Sequence, residues 1–277
     1  MIADKSAEPA GGSGSPTALV HAETAGHVRF VSMERPQARN ALSNELKIAL
    51  VSAIDEYEAD GSLRAMVLSG CDCGAFSAGG DLRRVAGRLE QGLPITDPGV
   101  PDLFARLSAR GKPIVAAIDG YALGGGFELA LACDIRVASE RSQFGLPEPR
   151  AGMLGQYGLD NLCRMIPLGE ALRLQLTGGR IDGRRAYDIG LVQELAADRG
   201  AMLRAATAMA ESIAACSPQA VRAIRHVVTV GRNLPAAYAE AFSQPYRDAV
   251  HASAEALEGA RAFLEKRSPS WVSEEQL

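Results

Sequence analysis

Apolar positions along the chain form three kinds of pattern, and each predicts a different element. Short continuous runs predict buried strands: Ala65-Met66-Val67-Leu68, bounded by Gly70; Pro113-Ile114-Val115-Ala116-Ala117-Ile118, followed by a glycine turn; and Asp134-Ile135-Arg136-Val137-Ala138. Leu19-Val20 and Val28-Arg29-Phe30-Val31 flank the turn-like Thr24-Ala25-Gly26, a hairpin pattern. Pro36 ends that run, and Ser43 then stands at the N-cap of a predicted helix with Leu46, Leu50 and Ile54 at i, i+4 and i+8. Its opposite face is acidic and solvated. The glycine turn after Ile118 leads into a helix from about Leu123 to Leu131.

From about Gln156 onward the pattern is helical, with Leu191-Val192 as a strand-like interruption. The last predicted helix, Ser253 to Lys266, has Ser253 as cap, Glu255 in its first turn, and Ala256, Ala260, Phe263 and Leu264 along one side. Strands alternating with helices predict an α/β fold of repeated strand–strand–helix units rather than an all-β sandwich. Three segments are expected: a flexible Gly/Ser/Pro/Ala-rich tail at 1–16, a core at 17–200, and a helical region at 201–277.

Composition narrows the function. With 277 residues, 47% hydrophobic and 22% charged, the chain buries a sizeable core, which rules out a disordered protein. A net charge of −4 leaves no surplus for gripping nucleic acid, so an anionic ligand must be met locally. No run of about 18 apolar residues is present, and Asp4, Lys5 and Glu8 interrupt the start, so neither a membrane span nor a signal segment is expected; the cytoplasm is the default location. Cysteines at 71, 73, 133, 163 and 216 and histidines at 21, 27, 226 and 251 lack metal-ligand spacing, and no Gly-x-Ser-x-Gly turn is present. Aromatics make up only 5%, so helices rich in Ala and Leu need partners, and an oligomer is expected.

Two glycine-rich turns follow predicted strands: Phe76-Ser77-Ala78-Gly79-Gly80-Asp81-Leu82, and Gly120 through Gly124-Gly125-Gly126 to Glu128. Backbone without Cβ lets a ligand approach, and free N–H groups at a helix start suit developing negative charge. One donor from each turn would make an oxyanion hole; either turn alone equally serves close packing of strand on helix. No Gly-Lys-Ser/Thr follows either turn, which excludes a Walker loop. Gly124-x-Gly126 matches a dinucleotide fingerprint only partly, because Leu129 fills the third glycine position. Glu128 lies just inside the predicted helix, and Glu148 is held between Pro147 and Pro149. Two carboxyls around one centre divide acid and base roles if their surroundings separate their pKa values; each alone reads as a surface group.

Gly120 to Asp134, with Phe76 to Leu82 before it and Phe144 to Glu148 after it, closely resembles the crotonase (enoyl-CoA hydratase/isomerase) superfamily. The resemblance runs from about Thr17 to Val272 and includes Arg35-Pro36, Asn40-Ala41-Leu42, Leu176-Thr177-Gly178, Gly190-Leu191-Val192 and Ala262 to Arg267. It implies a crotonase-like spiral of ββα units, a helical carboxyl-terminal layer, and trimers or dimers of trimers. It places an acyl-CoA thioester carbonyl between the amides of Gly80 and Gly125. CoA contacts map to Ala78, Gly79, Asp81 and Leu82, with Arg39 near the phosphates, and to Phe263 and Lys266. CoA enters as part of the substrate; no separate cofactor and no metal are expected.

Hydratases of this kind carry glutamate at both positions matching Glu128 and Glu148, whereas many isomerases keep only the second. The resemblance therefore implies syn hydration of a 2-enoyl-CoA, with Glu128 handling water and Glu148 exchanging the proton at Cα. An enoyl-CoA isomerase or another crotonase-fold acyl-CoA enzyme is the alternative; a CoA-binding scaffold and a nicotinamide oxidoreductase stand further off. Three departures bear on this. Gly155-Gln156-Tyr157-Gly158-Leu159-Asp160 replaces a Pro-Gly-x-Gly-Gly stretch, Pro149 follows Glu148 directly, and Asp119 stands where Asn is common.

Overall fold

A computed structural model describes residues 18–272; the tail expected at 1–16 lies outside the described residues. The apolar runs become strands of a six-stranded sheet. They are β1 (Val20–Ala25), β2 (Val28–Met33), β3 (Ala65–Gly70), β5 (Ile114–Ile118), β7 (Ile135–Ser139) and β10 (Glu194–Ala196), in the order β1-β2-β3-β5-β7-β10. The β1–β2 hairpin is antiparallel and the rest pair in parallel. Every residue of β3 and β5 is buried, as expected of strands covered on both faces.

Three of these strands continue, after a short link, into a second sheet. Its order is β4-β6-β8-β9, formed by β4 (Ala75–Ser77), β6 (Tyr121–Leu123), β8 (Gln143–Gly145) and β9 (Arg180–Asp182), with β9 antiparallel to β8. Helices follow the pairs: α2 (Leu82–Glu90) and α3 (Leu103–Ala109) after β4, α4 (Gly125–Ala132) after β6, and α5 (Tyr157–Asn161) with α6 (Leu168–Thr177) after β8. This is the mixed α/β spiral of strand–strand–helix units that the pattern predicts. The first helix, α1 (Asn44–Ala59), is capped by Ser43, whose Oγ accepts from the Leu46 amide at 3.3 Å. It buries Leu46, Leu50 and Ile54 in the main core beside Phe76, Phe127 and Phe144.

Beyond α7 (Gly183–Asp188) comes α8 (Arg199–Ala214), which lies on the other face of the large sheet. There Met202, Ala206, Ala210 and Ala214 meet Val28, Ala65, Val67, Val115, Ala117 and Val137. Small side chains on both partners permit close approach. The remaining helices, α9 (Pro218–Gly231), α10 (Ala236–His251) and α11 (Ala254–Glu265), form the carboxyl-terminal layer. The strand expected at Leu191-Val192 is displaced. Both residues are buried, but their amides bond to the Ala186 carbonyl at 2.9 and 3.1 Å, closing the end of α7, and β10 begins at Glu194.

Asp134 is the main polar tie between core and helical layer. Its carboxylate accepts from Arg110 (2.7 Å), Arg225 (2.9 Å) and the Ile114 amide (2.8 Å), and the Arg110 side chain is only 1% exposed. Asp134→Ala leaves two arginines without their counter-ion, so the expected loss is about 3–5 kcal/mol of unfolding free energy, read by denaturant titration. Among the described residues no helix is long and apolar enough to cross a membrane, and no group of three His, Cys, Asp or Glu is placed to hold a metal ion.

Candidate active site

The first glycine turn is held from below by the segment that precedes α1. Ala78 donates its amide to the Arg39 carbonyl (2.9 Å) and Leu42 donates to the Gly79 carbonyl (2.7 Å). Between them Asn40 is fully buried with φ 54°. Its Nδ2 donates to the Ala75 and Phe76 carbonyls (3.2 Å each), and the Ser77 hydroxyl donates to the Asn40 carbonyl (2.7 Å). A left-handed backbone is costly for most residues, and asparagine adopts it most readily after glycine.

The second turn is pressed against the first. Gly79 has φ 96°, and a Cβ there would stand 2.5 Å from the Leu123 carbonyl oxygen. A Cβ on Gly125 would stand 3.6 Å from the Gly80 nitrogen. The two turns therefore bring the Gly80 and Gly125 amides side by side. Neither donates to another described residue: in the bridge between Leu42 and Gly80 the Gly80 N–H stays free, and Gly125 is the first residue of α4. Positive potential at the start of α4 adds to what these amides offer an anion.

Glu128, one turn into α4, is 4% exposed. Its Oε1 accepts from the Gly158 amide at 2.8 Å. Burial holds its carboxyl above the ordinary glutamate range, against the opposing pull of the Gly158, Gln156 and Tyr157 amides and of the Lys47 ammonium. Glu148 opens a 3-10 turn, Glu148–Ala151, with its prolines on either side. Burial raises its pKa first; its own amide pulls the other way, and the charge of Glu128 adds to the rise. Its Oε2 is buried with no hydrogen-bond partner among the described residues.

The two carboxyls converge. A Cβ at Gly155 would lie 2.8 Å from Glu128 Oε1 and 3.9 Å from Glu148 Oε1, and one at Gly124 would lie 2.8 Å from Glu148 Oε1. Gly155 thus leaves room at the meeting point of both acids, and Gly124, which precedes the free Gly125 amide, brings Glu148 against the second turn. The loop that departs from the family's stretch retains this small residue and supplies amides to Glu128. Its bulk is turned aside: the Tyr157 ring stacks on Phe104 at 5.7 Å.

Of the remaining candidate residues, Ala78 and Gly79 line the first turn, and Asp81 begins α2 with its carboxylate paired to Arg35 at 3.1 Å. Burial would raise the Asp81 pKa, but the Arg35 hydrogen bond and nearby amides hold it below the ordinary range. Arg39 and Leu82 are exposed at the same rim. Phe263, 84% exposed, and Lys266, in the left-handed C-cap of α11, stand in solvent, with no hydrogen bond or ion pair to the glycine turns among the described residues. Asp119 is 2% exposed and accepts from Ser139 and Arg141 (2.7 Å each), which locks the turn into β6. A separate cavity of about 850 Å³ between α4, α8 and α9 contains none of these groups.

Sequence reasoning missed three contributors: the Gly158 amide, the positioning residue Asn40, and Lys47, a half-buried lysine of α1 whose charge acts on Glu128. Asn40 signalled itself only as part of a motif, and Lys47 had no local signal at all.

The profile of the enoyl-CoA hydratase/isomerase family matches residues 23–274. The chain belongs to this family. Among curated relatives, the family member (E)-benzylidenesuccinyl-CoA hydratase of Thauera aromatica is 33% identical over 258 residues, covering 90% of this chain and 97% of its own. The 2,3-dehydroadipyl-CoA hydratase of Escherichia coli is 35% identical over 246 residues, covering 88% and 94%. An enoyl-CoA hydratase crystal structure from Mycobacterium tuberculosis superposes with a TM-score of 0.84 at 36% identity, covering 92% of this chain and 98% of that one. The crotonase fold of the family is therefore the fold of this chain.

Proposed function

We propose that the protein is an enoyl-CoA hydratase, adding water reversibly across the double bond of a 2-enoyl-CoA to give a 3-hydroxyacyl-CoA. The observation that carries this reading is the meeting of the buried Glu128 and half-buried Glu148 carboxyls at Gly155, with Glu148 also against Gly124, the residue that precedes one of the two free amides. The thioester oxygen accepts from the Gly80 and Gly125 N–H groups, which stabilise the enolate that forms when oxygen bonds to Cβ; such a donor is worth about 3–4 kcal/mol of barrier. Glu128, whose anion is favoured by the Gly158 amide and Lys47, takes a proton from water. Glu148, with an unpartnered oxygen and a neighbouring negative charge, holds a proton and delivers it to Cα. The reverse step uses the same groups in exchanged roles.

The carboxyl-terminal helices expose Ile224, Val228, Phe263 and Leu264 in one protomer, and we assign this apolar surface to a homotrimer or a dimer of trimers. Phe263 and Lys266 would reach CoA in that assembly. The relatives' names span acyl groups as different as benzylidenesuccinyl and dehydroadipyl, so membership leaves the acyl group open.

Incubation with a panel of 2-enoyl-CoAs and no nicotinamide is expected to yield a product heavier by one water, with loss of the conjugated absorbance. A product of unchanged mass with a migrated double bond would assign isomerisation instead. Unaltered thioesters across the whole panel would overturn the enzyme reading.

A further inference from the structure

Two thiols outside the acid pair sit against the residue that braces the first glycine turn. Cys71 and Cys73 follow β3, in the loop Cys71-Asp72-Cys73-Gly74 that leads into β4. The Cys73 amide donates to the Cys71 carbonyl (2.9 Å), a three-residue turn that draws the two residues together. Their sulfurs meet the two ends of one carboxamide: Cys71 Sγ donates to Asn40 Oδ1 (3.4 Å), and Asn40 Nδ2 donates to Cys73 Sγ (3.6 Å). Residues two apart span at most about 7 Å at full extension, and the turn shortens that, which brings the pair within reach of a disulfide.

Both thiols are half-buried and Asp72 between them is exposed, so a small reagent can reach them. Burial and the neighbouring Cys73 thiol push the Cys71 thiol up to about 11, which keeps its proton in place for Asn40. The other cysteines are arranged differently. Cys133, Cys163 and Cys216 each donate back to a nearby carbonyl, of Leu129 (3.4 Å), Asp160 (3.7 Å) and Ser212 (3.4 Å), and among the described residues none shares a partner with a second thiol.

Asn40 carries the consequence to the site. The Nδ2 that meets Cys73 also holds the Ala75 and Phe76 carbonyls, and the Asn40 carbonyl holds the Ser77 hydroxyl, just ahead of Gly79 and Gly80. The carboxamide is hemmed in: a Cβ on Gly70 would stand 2.8 Å from Nδ2. Gly74 of the same loop accepts from the Tyr121 amide (3.1 Å) at the start of β6, which leads into the second turn.

We propose that Cys71 and Cys73 are a reversible oxidation site: a low-molecular-weight disulfide converts them to an intramolecular disulfide, which releases Asn40 and loosens the turn that carries Gly80. The Cys73 thiolate attacks one sulfur of the reagent, and the other sulfur leaves as a thiolate. Cys71, losing its proton to solvent, then attacks the Cys73 sulfur of the mixed disulfide and expels the second reagent thiolate. The two cysteines give up two protons and two electrons, and one small disulfide becomes two thiols. The bridge draws the sulfurs together and leaves no S–H for Asn40 Oδ1. A ring closed across a single residue is tight, and strained disulfides are the readily reduced ones, so added thiol reverses it.

The test exposes the full chain to oxidised glutathione and maps its peptides by mass. The peptide spanning residues 71–73 is expected to be lighter by two hydrogens, to carry no glutathione, and to regain its mass in dithiothreitol. Amide hydrogen exchange across residues 76–80 is expected to be about fivefold faster in the bridged protein, the effect of losing one hydrogen bond. Cys71→Ser is expected to stop at the mixed disulfide on Cys73, and Cys73→Ser to show neither the bridge nor the faster exchange.

An unchanged wild-type peptide, or one that only gains glutathione, overturns the site. A bridge with exchange unaltered, or faster exchange that persists in Cys73→Ser, overturns the coupling to Asn40. None of these readouts uses turnover, so they stand or fall apart from the hydratase reading. Under that reading the bridged protein is expected to hydrate enoyl-CoA about fivefold more slowly than the reduced one, and equal rates would overturn the effect on the site.

Discussion

Replacing either of the two convergent glutamates by glutamine is expected to lower kcat/KM for enoyl-CoA hydration by about a hundred- to ten-thousandfold, the range for loss of a positioned acid or base. The two variants should fail differently. Glu128→Gln removes the acceptor for the water proton but leaves the donor at Cα, so exchange of Cα hydrogen with deuterated solvent on a saturated acyl-CoA should survive. Glu148→Gln should lose that exchange as well. Full hydration activity in both variants would reject the assignment of roles.

The same substitutions should stabilise the fold at neutral pH. Burial raises both pKa values, so over the interval between the ordinary glutamate value and the raised one the folded chain binds more protons than the unfolded chain. Stability therefore falls as pH rises through that interval and stays lower above it. Glutamine carries no charge to desolvate, so the melting temperatures of Glu128→Gln and Glu148→Gln should exceed that of the wild type at pH 7 to 8. The difference should vanish as pH falls below the ordinary glutamate value. The Gly158 amide retains its acceptor in Glu128→Gln through the amide oxygen.

What the sequence makes legible follows from the range of the forces involved. Ala65 to Leu68 and Ile114 to Ile118 read as strands because burial on both faces demands an unbroken apolar run, and Ser43 reads as a cap because its hydroxyl acts within one helical turn. The three-residue strands β4, β6, β8 and β9 carry no such pattern; only their placement beside one another makes them strands. Leu191-Val192 misled for a related reason, since a pair of buried aliphatics at a helix end looks like a short strand when the Ala186 carbonyl that captures both amides is out of view. In the site, the glycines were readable because close backbone contact tolerates nothing else, as at Gly79. Lys47 was not, because its charge reaches Glu128 only once α1 and α4 are folded around one core.

Adjacent glycines in the second turn should separate folding from turnover. A Cβ at Gly125 would meet Leu42 Cδ1 at 3.4 Å and the Gly80 nitrogen at 3.6 Å, and nothing closer. Gly125→Ala is therefore expected to fold with a melting temperature near that of the wild type, while its methyl group intrudes on the space between the two free amides. Hydration should fall about a hundredfold or more, with the loss in kcat, because the amides matter most to the oxygen as it gains charge. A Cβ at Gly126 would instead stand 2.3 Å from the Ser77 carbonyl oxygen and 2.7 Å from its Cβ, inside a buried contact between α4 and β4 that cannot open without separating the two turns. Gly126→Ala should accordingly be lost to unfolding or aggregation rather than appear as a soluble, slow enzyme, since overpacking against backbone has no flexible side chain to absorb it. Circular dichroism melts and rates on the same preparations decide the matter: undiminished turnover in Gly125→Ala would mean that the thioester oxygen is held somewhere other than between residues 80 and 125.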